Sequence, residues 1–164
     1  MSTHSSRAAT PRGYVWASFV LTLLGLVAAG YLTYEHYTSS TTLVCSDTGA
    51  VNCLKVTTSS YAKQFGIPVA LLGLLFFVAM SVLCSPKAWS MSRERPWIGW
   101  LRLALSTAGV FMVFYLVWAE LFRIEAICLW CTAVHVVTVV LFAVLVFAAA
   151  TVPVLSDVAT DVRT

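Results

Sequence analysis

The sequence predicts an all-α integral membrane protein with one domain, built from four membrane-spanning helices. Of its 164 residues, 60% are hydrophobic and only 10% are charged, whereas soluble domains average about 45–50% and 25%. The mean hydropathy is +0.88, and four apolar runs approach or exceed the length that a bilayer requires. The formal net charge of +3 is too small to indicate a nucleic-acid-binding protein.

The first span follows a polar head. Residues 1–13 are rich in Ser and Thr, lack acidic side chains and end in a Pro-Arg-Gly break, so we expect a flexible tail. Residues 14–34 form an uncharged run of 21 residues, enough to cross a hydrocarbon core of about 30 Å. A basic head before an apolar run is also typical of a cleaved signal peptide, but this run exceeds the usual length of about 7–15 residues. A retained span is therefore favoured.

Residues 35–64 form the longest polar stretch between apolar runs, and they contain Cys45 and Cys53. Asp-Thr-Gly at 47–49 is typical of a turn, because a short acidic side chain can bond its own backbone and glycine accepts positive φ. Residues 57–60 offer helix N-caps, which predicts a short helical segment at the membrane surface with Tyr61 and Phe65 on one face. An irregular linker is the alternative.

The remaining apolar runs predict three more spans. The second covers 65–84, with Pro68 in its first turn, where a missing N–H costs little. A polar loop follows at 85–100. The third span covers 103–119 and can extend towards Trp97 if Arg102 snorkels to the interface. A short turn at 123–125 leads to the fourth span, and 151–164 is a C-terminal tail.

Four crossings place the first and third connections on one side of the membrane. Cys45, Cys53, Cys128 and Cys131 therefore share a face, and Cys84 lies at the opposite face. The opposite side, with both termini, carries seven basic residues, and the cysteine side carries three. The seven are Arg7, Arg12, Lys87, Arg93, Arg95, Arg102 and Arg163, and the three are Lys55, Lys63 and Arg123. The positive-inside rule then makes both termini cytoplasmic. The four cysteines face an oxidising exterior, and we expect Cys84 to be a packed, inert thiol.

Cys128-Leu129-Trp130-Cys131 begins the last apolar run and predicts redox chemistry. Cysteines at i and i+3 share one face of a helix, about 4.5 Å apart along its axis. A helix N-terminus also favours the thiolate, which is the reactive form of cysteine. His135 lies four residues after Cys131 and extends the same stripe. The alternative is that these cysteines pack as small hydrophobic residues and that their spacing is chance.

Two cysteine pairs on one side of the membrane suggest a relay by thiol–disulfide exchange. The loop pair can meet a soluble partner, and the helix pair can meet a lipid-soluble acceptor. Cys131 is one turn deeper than Cys128, so we expect it to face that acceptor. A zinc site formed by the four cysteines and His135 would use the same residues, but Cys45 and Cys53 are eight residues apart, which is not a typical zinc-ligand spacing.

The joint pattern resembles the vitamin K epoxide reductase family, and its bacterial members most. The shared features are two loop cysteines separated by seven residues, Ser59 six residues later, the segment FGIPVALLG at 65–73, and CLWC at 128–131. The resemblance covers 14–150. It implies a four-helix bundle around a quinone of menaquinone or ubiquinone type, near the outer surface and capped by the extracytoplasmic loop 35–64.

The resemblance also implies roles for individual residues. Cys45 would receive electrons from a separate thioredoxin-fold disulfide oxidase, Cys53 would pass them to Cys128, and Cys131 would react with the quinone. The residues expected to bind the quinone are Ser59, Phe65 and His135. His135 stands where vertebrate members have a tyrosine. The vertebrate asparagine that contacts the quinone has no counterpart, since the nearest position is Val69.

The function expected from this resemblance is quinone-dependent reoxidation of a disulfide oxidase in a bacterial inner or plasma membrane, in support of disulfide formation in exported proteins. The alternatives are a quinone or quinone-epoxide reductase of a vitamin K-type cycle, and a non-enzymatic membrane protein that binds metal through Cys and His.

Overall fold

The structure is a computed structural model that describes residues 12–38, 45, 50–92 and 94–151. In chain order its elements are α1 (Arg12–Thr38), α2 (Cys53–Thr57), a 3₁₀ turn (Ser60–Ala62), β1 (Lys63–Gln64), β2 (Ile67–Pro68), α3 (Val69–Leu83), α4 (Pro86–Met91), α5 (Trp97–Ala119), a π-helical turn (Glu120–Ile124) and α6 (Leu129–Thr151). The predicted turn at 47–49 and most of both predicted tails lie outside the described residues.

In the part of the chain that the structure describes, three helices are long and apolar enough to cross a membrane. They are α1 with 27 residues, α5 with its π-helical turn, 28 residues together, and α6 with 23 residues. At about 1.5 Å per residue, each exceeds a hydrocarbon core of about 30 Å. The predictions of apolar helices of spanning length at 14–34, at 103–119 and from near the CxxC motif are therefore confirmed.

The prediction of a second span at 65–84 is wrong at its start, because the helix begins only at Val69. Phe65 and Gly66 both have positive φ, 53° and 82°, and form the two-residue turn between β1 and β2. Such turns suit the twist of antiparallel strands. α3 therefore has 15 residues, about 22 Å of helix at 1.5 Å per residue. The expectation that Tyr61 and Phe65 share a helix face is also wrong.

The helices pack closely around α1, which contacts both α3 and α6, and α5 packs against α6. Gly25 makes this possible, since a Cβ atom at its position would lie 2.1 Å from Cε1 of Phe77. Small residues at such crossings let helix backbones approach in membrane proteins. Large apolar side chains such as Val27 and Phe111 are 72% and 71% exposed on the outside of the bundle, as expected for a surface in contact with lipid.

Arg102 does not snorkel to the interface, contrary to the sequence-based expectation. It is 3% exposed, and its guanidinium donates hydrogen bonds from Nε and Nη2 to the carbonyl of Leu83, at 3.1 and 2.7 Å. The same group lies 3.9 Å from the ring centroid of Trp89 on α4. Arg102 thus satisfies a carbonyl at the C-terminus of α3. Cys84, the next residue after Leu83, is fully buried.

Candidate active site

A backbone bridge joins the loop to the start of the last helix. The N–H of Asn52 donates to the carbonyl of Ile127 at 3.1 Å, and the N–H of Ile127 donates to the carbonyl of Ala50 at 2.9 Å. This short parallel pairing is followed directly by Cys53 on one chain segment and Cys128 on the other. Both cysteines are fully buried in one apolar cluster with Val56, Ile124 and Ala126.

Cys53 opens α2 and is bonded to the other loop cysteine. Asn52 is the N-cap of this helix, and its Oδ1 accepts a hydrogen bond from the N–H of Lys55 at 2.8 Å. A disulfide joins Cys45 and Cys53. Cys45 packs against the same cluster that contains Cys128, so the loop pair and the helix pair are neighbours.

Cys128 lies just before α6, and its sulfur takes the place of an N-capping oxygen. The N–H of Cys131 donates to Sγ of Cys128 at 3.2 Å. A hydrogen bond from the Cys131 side chain, supported by backbone N–H groups, lowers the pKa of Cys128 below its usual value, although burial opposes this effect. The Cys131 side chain, with a smaller contribution from backbone N–H groups of the first turn of α6, therefore favours a thiolate at Cys128.

Beside these cysteines lies an apolar cavity of about 290 Å³ between α1, α3, α5, α6 and the segment 56–62. Cys131 lines the cavity and is half-buried, whereas Cys128 is fully buried and is not among the lining residues. Most of the wall is aliphatic or aromatic. The polar side chains that line it are His36, Thr57, Ser59, Tyr61, Glu120, His135 and Thr138.

Two of the three residues predicted to bind a cofactor line this cavity. Ser59 does so from the loop side, and its hydroxyl donates to the carbonyl of Val56 at 2.8 Å. His135 does so from α6 and is 7% exposed. Phe65 does not: its side chain is 100% exposed at the tip of the β1–β2 turn. Ser59 and His135 thus line the same cavity as Cys131, and Phe65 lies outside it.

Side chains that the sequence analysis did not assign fasten the loop over the cavity. Nε of Arg123 donates to the hydroxyl of Tyr61 at 2.8 Å, and Nε2 of Gln64 donates to the hydroxyl of Tyr115 at 3.1 Å. Both bonds connect the segment after α2 to α5 or its π-helical turn. No local pattern predicts these pairs, because their partners are 62 and 51 residues apart in sequence.

Glu120 is a further cavity residue that the sequence analysis did not assign. It is 6% exposed, lines the cavity, and accepts a hydrogen bond from the backbone N–H of Cys128. A signal was present, since it is the one acidic residue between the third apolar run and Arg123, and ionisable residues within membrane helices are often functional.

Within the described part of the chain, no group of three or more His, Cys, Asp or Glu side chains is arranged to hold a metal ion.

The chain matches a known protein family. The sequence profile of the Vitamin K epoxide reductase family matches residues 16–146. This range includes the CxxC motif and every residue that lines the cavity. No curated protein matches the chain at a significant level.

Proposed function

The chain belongs to the vitamin K epoxide reductase family, and from this premise we propose that it carries two electrons from a protein dithiol through its two cysteine pairs to a quinone. The family suggests a quinone-linked thiol oxidoreductase. The protein partner that we propose is a separate thioredoxin-fold disulfide oxidase outside a bacterial plasma membrane, so that the enzyme supports disulfide formation in exported proteins.

The observation that carries this proposal is the serial arrangement of the cysteines. Cys45 and Cys53 form a disulfide on the loop, Cys53 shares a buried cluster with Cys128, and Cys131 reaches the cavity. Thiol–disulfide exchange needs a thiolate to reach a disulfide sulfur. A relay in the order loop pair, Cys128, Cys131, cavity therefore needs only contacts between neighbours.

Each step of the relay transfers one electron pair. A thiolate of the partner attacks Cys45 and releases the thiolate of Cys53, which attacks Cys128 in its disulfide with Cys131. Cys45 is then freed from the partner as the partner's second thiol closes its own disulfide, and Cys45 attacks Cys53 to re-form the loop disulfide. This last step releases Cys128 and leaves the CxxC pair reduced. A loop disulfide together with a reduced CxxC pair is the state ready to reduce the quinone.

The cavity suits a quinone. Its volume of about 290 Å³ and its apolar walls fit a flat ring whose tail leaves towards lipid. A bound quinone supplies an acceptor for two electrons and two protons. His135 can donate a hydrogen bond to a quinone carbonyl from α6, and Ser59 offers a hydroxyl from the loop side.

For the membrane arrangement, we propose that α3 is a fourth crossing. Its length of about 22 Å is short, but local thinning of the bilayer accommodates a short apolar helix at a modest cost. Four crossings, with more basic residues beside the termini, favour cytoplasmic termini and an extracytoplasmic loop. The cluster with Cys53 and Cys128 would then lie at the outer surface.

The test is anaerobic reduction of several quinones by the purified protein, with a reduced thioredoxin-fold oxidase as electron donor and quinone absorbance as readout. The native protein and a Cys84→Ser variant should both reduce the quinone, and Cys131→Ser should not. Cys84 is a suitable control because it is buried in a different cluster from Cys128. Quinone reduction that persists in Cys131→Ser would refute the proposed relay, and reduction only of a quinone epoxide would favour the vitamin K-type alternative.

A further inference from the structure

Glu120 is a buried carboxyl group for which the electron relay has no role. It is 6% exposed and faces the cavity. Among the described residues, its hydrogen-bond donor is the backbone N–H of Cys128, and the nearest arginine in sequence, Arg123, bonds Tyr61 instead. Acidic residues are almost never buried without a cation as partner, and within membrane segments they mark proton and ion pathways.

The backbone fixes this carboxyl group beside the CxxC motif. The carbonyl of Glu120 accepts hydrogen bonds from the N–H groups of Glu125 and Ala126, and Glu125 adopts a left-handed conformation with φ of 52°. The chain therefore reverses at the end of the π-helical turn and returns Cys128 to the side chain of Glu120. Single π-helical turns are frequent at functional sites, and this one places a carboxyl group beside the CxxC motif and on the cavity wall.

We propose that Glu120 is a catalytic proton carrier between the CxxC thiols and the quinone, an inference that rests on the function proposed above. When the Sγ–Sγ bond of Cys128 and Cys131 forms, the two thiols lose two electrons and two protons, and the quinone gains both. The Glu120 carboxylate accepts a proton as a thiol becomes nucleophilic, then donates it to a quinone oxygen. Two such passes balance the reaction and return Glu120 to its starting state.

This role makes the pH dependence of the rate informative. The carboxylate must be ionised to accept the first proton, so quinone reduction should fall as the pH falls through the titration of Glu120. Without a carboxylate, the thiols must ionise unaided, so the rate should instead rise with pH through the thiol range. The other ionisable groups around Glu120 are Cys128, Cys131, His36, His135 and Tyr61, with Arg123 and Glu125 on the same turn.

The test compares Glu120→Gln, which keeps the shape and cannot carry a proton, with Glu120→Asp, which keeps the acid. Glu125→Gln is the matched control, because Glu125 ends the same turn but is exposed. General acid–base catalysis contributes about 10²–10⁴-fold, so Glu120→Gln should slow quinone reduction about 100-fold near neutral pH, with a smaller deficit at high pH. Glu120→Asp should recover part of the rate, and Glu125→Gln should behave as the native protein.

Two outcomes would overturn the proton-carrier role. The first is a Glu120→Gln variant that matches the native rate at every pH. The second is a pair of Glu120 variants that are equally slow with an unchanged pH profile, since that would indicate a packing role. The partner's reduction of the Cys45–Cys53 disulfide, measured in parallel, should be the same in all variants.

A readout without quinone separates this inference from the proposed function. An infrared difference spectrum between the dithiol and disulfide states of the CxxC pair should contain a carboxyl band, because the protonation of Glu120 changes when the thiols gain or lose protons. That band should persist in Glu125→Gln and vanish in Glu120→Gln. If the native protein shows the band but reduces no quinone, the proposed function fails and the thiol–carboxyl proton exchange stands. If the band is the same in Glu120→Gln, the proton-carrier role is wrong even where quinone reduction is normal.

Discussion

Replacing Gly25 by alanine should destabilise the bundle and disturb the cavity together. The new Cβ atom would lie 2.1 Å from Cε1 of Phe77, whereas ordinary contacts begin at 3.4 Å, so the ring must move by about 1.3 Å, the difference between the two distances. Phe77 is fully buried and lines the cavity. The ring can therefore move only by displacing neighbours or by entering the cavity.

The size of the effect follows from two opposing contributions. Overpacking of a well-packed core costs about 1–3 kcal/mol, and a shift above 1 Å with no free surface favours the upper part of that range. Replacing glycine by alanine within a helix returns about 1 kcal/mol. The expected net loss is about 2 kcal/mol, which corresponds to a fall in Tm of about 4–8 °C for a protein of this size.

The assay is thermal unfolding in detergent, with Gly30→Ala as the matched control. Gly30 lies on the same helix, and a Cβ atom there would meet Cδ1 of Leu74 at an ordinary 3.9 Å, so this variant should be as stable as the native protein or slightly more so. In a Gly25→Ala and Phe77→Leu double variant, the smaller side chain makes room for the Cβ atom. The double variant should therefore lose less stability than the sum of the two single changes.

Equal stability of Gly25→Ala and Gly30→Ala would refute this account of the α1–α3 contact, and so would additive losses in the double variant. The Michaelis constant for quinone should also rise in Gly25→Ala and not in Gly30→Ala, because only the first change moves a residue of the cavity wall.

Three further predictions concern the relay and its orientation. Cys131→Ser should trap a disulfide between Cys53 and Cys128, visible by mass spectrometry of non-reduced peptides; a trapped bond to any other cysteine would contradict the proposed order. His135→Phe should slow quinone reduction about tenfold or more, a smaller effect than the usual loss of about 10²–10³-fold on removal of one hydrogen-bond donor. His135→Tyr should recover part of the rate. A native rate in the phenylalanine variant would show that His135 is a packing residue. A Ser90→Cys variant, altered at an exposed position on α4, should react with a membrane-impermeant reagent only after cell lysis. Labelling in intact cells would show that the orientation is the opposite of the one proposed.

The parts of the fold that could be predicted from the sequence are those that depend on local composition. A run of about 20 residues without charge specifies a membrane helix almost regardless of its neighbours, so α1, α5 and α6 were predictable. The start of α3 was not, because Phe65 and Gly66 continue the apolar run although they form a turn. Likewise, Arg102 looked like an interfacial residue because the sequence does not show that the carbonyl of Leu83 and the ring of Trp89 lie beside it.

In the candidate site, too, some features could be predicted from the sequence and others depend on the tertiary structure. Helix parity predicted that the loop and the start of α6 share one side, and the structure places Cys53 and Cys128 in one buried cluster. The position of Glu120 on the cavity wall depends instead on how the backbone reverses after the π-helical turn. Glu120 lies beside the CxxC motif because a π-helical turn and a left-handed Glu125 reverse the backbone. The hydrophobic periodicity of the sequence predicts neither feature. The proposed electron relay thus follows from the spacing of the cysteines, whereas the proposed proton route depends on a backbone irregularity that the sequence does not predict.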